Sequence, residues 1–230
     1  MPDADLSLAV PAVFFGSVGT AGQRCTSTRR LYLHRTIAPE FLARLQNLYA
    51  ALQPGDPLDA RTLLGPLHTR GAADAYDGSI AELKAAGSRI LVGGARYAQH
   101  DLEGGNFVRP TIAVPPPAAA DAALWATERF APVLLVAEFD ELEQAIAWNN
   151  AVPQGLSSSL WTRDLRNVGK WIGPAGSDAG IVNVSSFSIG CCSIHLHVAQ
   201  VNVGTSGAEI GAAFGGNKVR FYYCNCCSTD

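Results

Sequence analysis

From about residue 5 to residue 184 the sequence alternates two hydrophobic periods, one helical and one extended, and this alternation limits the fold more than any other feature. Helix and strand segments taken in turn build units whose strands lie parallel in a sheet covered by helices. Leu31 to Leu33 reads as a short strand. Pro39 suits a first helical turn, and Phe41, Leu42, Leu45, Leu48, Tyr49 and Leu52 then recur at helical spacing until Pro54-Gly55 stops them. A second helix places Ala73, Tyr76, Ile80 and Leu83 on one face, ends near Gly87 and hands over to the strand Ile90 to Val92. Thr111 to Val114 is extended, and Pro115-Pro116-Pro117 prevents a helix from continuing. Val133 to Val136 reads as a buried strand, and Asp140 with Glu143 as a capping box for a helix through Leu142, Ala145 and Ile146. Ser157 to Trp161 and Ile181 to Val184 complete the strands. The expected class is α/β, an open, mainly parallel sheet flanked by helices.

Gly16-Ser17-Val18-Gly19-Thr20-Ala21-Gly22 invites comparison with a dinucleotide-binding fingerprint, but that motif follows a strand and opens a helix. Here the glycines follow the helix-like stretch Leu6 to Phe15, so they read as a helix end turning tightly into a loop. That loop presents Cys25, the only cysteine among the first 190 residues. A thiolate is a strong nucleophile, and backbone N–H groups beside it can favour the anion and hold a developing oxyanion. The alternative is a small buried hydrophobe.

The 48% apolar and 16% charged residues of this 230-residue chain suit a globular protein with one sizeable core. A net charge of −3 without a basic block argues against nucleic acid or an acidic membrane surface as partner. No apolar run approaches the roughly 18 residues needed to span a bilayer. The acidic start Met1-Pro2-Asp3-Ala4-Asp5 lacks the order of a secretory signal, and the scarcity of cysteine before residue 191 suits a reducing, cytoplasmic setting.

Five motifs in order, Gly22-Gln23-Arg24-Cys25-Thr26, Gly65-Pro66-Leu67, Gly105 to Ile112, Glu128-Arg129-Phe130-Ala131-Pro132 and Gly155-Leu156-Ser157-Ser158-Ser159, resemble those of the aldehyde dehydrogenase superfamily. Gly19 to Thr26, Ala147-Trp148-Asn149-Asn150, Gly176-Ser177-Asp178 and Thr205 to Ile210 are similar in wording to its antiquitin-type branch, the α-aminoadipic semialdehyde dehydrogenases. The resemblance implies an NAD-dependent oxidation of an aldehyde to an acid, with α-aminoadipic semialdehyde as substrate. Cys25 would attack the aldehyde carbon, the thiohemiacetal would give hydride to NAD, and water would hydrolyse the thioester. The backbone N–H of Cys25 would form half of the oxyanion hole.

On the cofactor side the resemblance gives Glu128 the nicotinamide ribose, the alternative being a surface charge. It gives Phe130 a supporting place beside the nicotinamide, the alternative being a core packer. It places Thr26, Gly207 and Ala208 around the amino-acid end of the substrate, where turn N–H groups can hold a carboxylate. Arg24 is either a charge partner for that carboxylate or an anchor of its own loop.

The family subunit is about twice this length. The resemblance assigns the general base, the other half of the oxyanion hole and most of the cofactor domain to a preceding half, and assembly as a homo-oligomer to elements not found here. Residues 1–183 match the catalytic domain, and 184–200 have no family counterpart. Residues 201–218 continue the domain with the substrate turn, and 219–230 form an unrelated tail. Val182-Asn183-Val184 and Val201-Asn202-Val203 are near-duplicates, and joining Asn183 to Val201 restores the family wording, as expected of a retained intron read in frame. The expected consequences are a weakened fold and a Gly207-Ala208 turn kept away from Cys25.

Five of the six cysteines fall in those two segments. Cys191, Cys192, His195 and His197 with Cys224, Cys226 and Cys227 offer soft ligands, but not in the paired Cys-x-x-Cys spacing of structural zinc sites, so no metal is assigned. Two other readings accompany the enzyme: an inactive chain that associates with longer subunits, and a structural domain with a metal-binding appendage.

Overall fold

A computed structural model describes residues 1–98, 102, 104–117, 122–185 and 199–201. Helix α1, Leu6–Val18, starts where the Asp5 carboxylate accepts the Ser7 N–H and buries Ala9, Val10 and Val13. It is followed by a short 3-10 turn, Gly19–Gly22. Strand β1, Arg30–His34, leads to α2, Ala38–Ala51, which has Pro39 in its first turn and buries Phe41, Leu42, Leu45 and Tyr49. The Tyr49 hydroxyl donates to Ser17 Oγ at 2.6 Å and ties α2 to α1; burial pushes that phenol well above its ordinary pKa.

Helix α3, Arg70–Ala85, is capped by Thr69, whose Oγ1 accepts the Ala72 N–H, and it buries the expected Ala73, Tyr76, Ile80 and Leu83. Strands β2, Arg89–Val92, and β3, Thr111–Val114, follow, then α4, Ala122–Ala126, and β4, Val133–Phe139. Helix α5, Leu142–Asn150, precedes β5, Ser157–Trp161, α6, Leu165–Ile172, and β6, Ile181–Ser185. A last strand, β7, covers Ala199–Val201.

The strands form two ladders. One runs β1-β4-β3-β2, parallel except for the antiparallel edge pair β2-β3; the other is the parallel β5-β6-β7. The mainly parallel α/β architecture follows the hydrophobic alternation, since β4 is the buried centre of its ladder and reads as a continuous apolar run. Strand β7 extends the second ladder at Val182↔Ala199. The edges β1 and β5 face a shared cavity of about 190 Å³.

One local expectation is corrected. Asp140 and Glu143 do not make a capping box: the N-cap residue is Glu141, with no side-chain cap bond. Asp140 sits one residue too early, so its N–H donates to Gln144 Oε1, while the Glu143 carboxylate pairs with Lys170 at 2.6 Å. Among the described residues no helix is long and apolar enough to cross a membrane.

Candidate active site

The turn that follows α1 is built from backbone conformations that side chains resist. Thr20 and Ala21 lie in the left-handed region at φ 52° and 53°, where non-glycine residues cost about 1–2 kcal/mol each. Gly22 follows at φ 67°, and a Cβ there would sit 2.4 Å from the Ala131 carbonyl oxygen. Glycine is therefore required twice at this position, for its dihedral and for the close approach of the Ala131-Pro132 backbone. The chain then folds back: the Ser27 N–H donates to Arg24 O at 3.1 Å and the Arg24 N–H to Ser27 Oγ at 3.2 Å. That bend leaves the N–H groups of Cys25 and Thr26 without an acceptor among the described residues.

Cys25 is exposed with a free thiol, so it is not the buried hydrophobe of the alternative reading. It lines the cavity between β1 and β5 together with Arg29, Glu128, Ser157 and Asp178. Glu128 is 39% exposed in its side chain, with Oε1 3.3 Å from Arg29 Nε. Phe130 is 45% exposed and so not a core packer, and the Arg29 guanidinium lies 4.8 Å above its ring. Thr26 is buried, at 5% exposure. The Arg24 guanidinium is exposed and rests 5.8 Å from the Phe15 ring.

The loop is anchored by Arg29, which the sequence reading missed. Its Nη1 donates to Gly22 O and Arg129 O, and its Nη2 to Arg24 O, at 3.2, 2.6 and 2.9 Å. Burial disfavours this cation, and the Glu128 carboxylate and, more weakly, Cys25 favour it. The only sequence signal was the Arg29-Arg30 pair just after the cysteine. Arg30 serves elsewhere, donating to the Trp148 carbonyl at 3.1 Å.

The separate sequence motifs meet through named contacts. Gln23 Oε1 accepts the His68 N–H at 3.0 Å, next to Gly65-Pro66-Leu67, and the Leu67 N–H donates to Asn106 O at 2.9 Å in the Gly105 motif. Gly22 touches Ala131 of the Glu128 motif, and Ser157 of the Gly155 motif lines the cavity. Asn149 donates to Ser177 Oγ at 3.0 Å and Asn150 to Gly176 O at 2.7 Å, which joins the two remaining pieces before β6. Gly207 and Ala208 lie outside the described residues, as do Cys191, Cys192, His195, His197 and the three cysteines of the tail.

Comparison with known proteins agrees with this convergence. Aldehyde dehydrogenase family 7 member A1 of Pisum sativum is 49% identical over 95% of the chain, and the α-aminoadipic semialdehyde dehydrogenase of Bos taurus 45% identical over 94%. The chain spans 38% and 36% of those two relatives. Among solved structures, a putative aldehyde dehydrogenase from Burkholderia cenocepacia is 30% identical with a TM-score of 0.81, covering 95% of this chain and 40% of that one. Residues 1–219 match the model of the aldehyde dehydrogenase family, and the chain belongs to that family.

Proposed function

We propose that the chain takes part in NAD-dependent oxidation of an aldehyde to a carboxylic acid through Cys25, with α-aminoadipic semialdehyde as the substrate. The observation that carries this reading is the exposed thiol at the end of a strained, glycine-closed turn, in one cavity with the Glu128 carboxylate. The residues present suit the nicotinamide end of the cofactor: an exposed carboxylate able to accept from ribose hydroxyls lies beside an exposed aromatic ring. Bound there, NAD would supply the hydride acceptor. Cys25 would add to the carbonyl carbon, and its own N–H, without an acceptor among the described residues, would donate to the oxygen as charge develops. Thr26, Gly207 and Ala208 are proposed at the amino-acid end, with Arg24 as the exposed cation available to a carboxylate. The 45% identity to the bovine relative supports this substrate over other aldehydes. A free, exposed thiol suits a reducing, cytoplasmic setting.

The test is NADH formation by the purified full chain given NAD and the semialdehyde, beside Cys25→Ser. Product that disappears in the variant supports the reading. A folded chain whose Cys25 alkylates readily but forms no NADH favours the second reading, an inactive chain that associates with longer subunits, which its coverage of 36% of the bovine relative makes specific. The insertion at 184–200 belongs to the same proposal and is tested in the transcript, where splicing out these codons in every tissue would support the intron.

A further inference from the structure

We propose that Arg29 is a positioning residue that couples the Cys25 turn to the cofactor side of the site, an assignment that rests on the reading of Cys25 as nucleophile. Its guanidinium divides its donors between two segments far apart in sequence. Gly22 O and Arg24 O belong to the turn that carries the thiol, while Arg129 O and the Glu128 carboxylate belong to the segment assigned to the ribose. The side chain is 16% exposed, and its cation covers one face of Phe130 at 4.8 Å. A planar fork with five donors can satisfy this set; a lysine ammonium, a point charge on a flexible stem, cannot reproduce it.

One consequence follows from the geometry. Any displacement of Glu128 is transmitted through one rigid group to the Gly22 and Arg24 carbonyls, which lead into Cys25.

The other charged groups around the turn have separate engagements. Arg24 lies against Phe15, Arg30 bonds the Trp148 carbonyl and Arg129 pairs with Glu82 at 2.7 Å. Asp178 faces the cavity from the loop before β6, and the His68 ring is bonded to Gln23 at 2.6 Å. None of these is altered in the variants below.

The test is the rate of alkylation of Cys25 by iodoacetamide at one fixed pH in the full chain, followed by mass spectrometry of the peptide that carries it, which separates it from the five other cysteines. Arg29→Gln is expected to change the rate about three- to tenfold, and Arg29→Lys, which cannot reproduce the fork, to recover only part of that change. Glu128→Gln is expected to change the rate while Arg29 is present and to have no further effect in the Arg29→Gln background, a coupling that a merely structural loss in each variant would not produce. An Arg29→Gln rate that coincides with wild type, or a Glu128→Gln effect that is the same with and without Arg29, overturns the assignment. A wild-type Cys25 no more reactive than glutathione would instead defeat the nucleophile reading, and this assignment with it.

Discussion

Gly22 and Gly87 share a backbone hand, with φ of 67° and 79°, and differ in what surrounds them. A Cβ at Gly87 would meet nothing within 4 Å, whereas one at Gly22 would strike the Ala131-Pro132 backbone at 2.4 to 2.7 Å. Gly87 ends α3 by a rule internal to the helix, its N–H returning to Lys84 O at 3.0 Å. Gly22 lets two segments distant in sequence touch, and the thiol is set by that closure. A helix end can be read from a dozen residues; the turn that carries Cys25 has meaning only when the Glu128 segment lies against it.

The comparison predicts unequal costs for the same substitution. Gly22→Ala combines a disfavoured dihedral with a backbone clash and should destabilise the chain by about 2–4 kcal/mol in urea unfolding, with loss of rapid Cys25 alkylation. Tyr76→Phe asks how local α3 really is. The buried hydroxyl is 2.8 Å from both Arg109 O and Thr111 Oγ1, and its removal should cost about 1–2 kcal/mol without touching thiol reactivity. Gly87→Ala, strained but unobstructed, should cost about 1 kcal/mol and leave Cys25 unchanged. If Gly87→Ala proves as damaging as Gly22→Ala, the contrast drawn here collapses.

The smallest expected effect is a pH dependence at Asp3, whose carboxylate accepts from the Thr162 hydroxyl and from the N–H groups of Arg163 and Asp164, clamping the N-terminal segment to the start of α6. Burial raises this pKa, but the hydrogen bonds from Arg163, Thr162 and Asp164 outweigh it and hold it below the usual 3.8. A folded-state value below the unfolded one stabilises the protein above pH 3.8 and ceases to do so as pH falls through the folded value. Asp3→Asn should therefore lower the melting temperature at pH 7, with the difference closing toward pH 3.

Periodicity made α2, α3 and the buried strand β4 legible, because each buries one face or both against a single core and the apolar spacing records it. The capping of α5 was misread because Asp140 and Glu143 have the right types and spacing, but Glu143 finds Lys170 across the fold, a partner the local sequence does not contain. Cys25, Glu128 and Phe130 could be picked out by resemblance, but the cavity that Cys25 and Glu128 share, and the Arg29 guanidinium that covers the Phe130 ring, are matters of tertiary packing. Arg29 was not legible: an arginine carries no sign of which carbonyls it will reach, and two of its partners belong to Glu128 and Arg129, joined to it only by folding. The ladder pair of β7 with β6 was not legible, because Ala199–Val201 is too short a run for periodicity to mark.

The central claim is that distant motifs close around Cys25 to make a thiol that acts on an aldehyde. Its most direct test is protection: the rate of Cys25 alkylation in the full chain, measured by peptide mass with and without α-aminoadipic semialdehyde, beside glutathione and Gly22→Ala. The account predicts that the semialdehyde slows alkylation of Cys25 at concentrations that leave glutathione unaffected, and that Gly22→Ala loses this protection. Equal effects on Cys25 and glutathione, or protection that survives in Gly22→Ala, would contradict it.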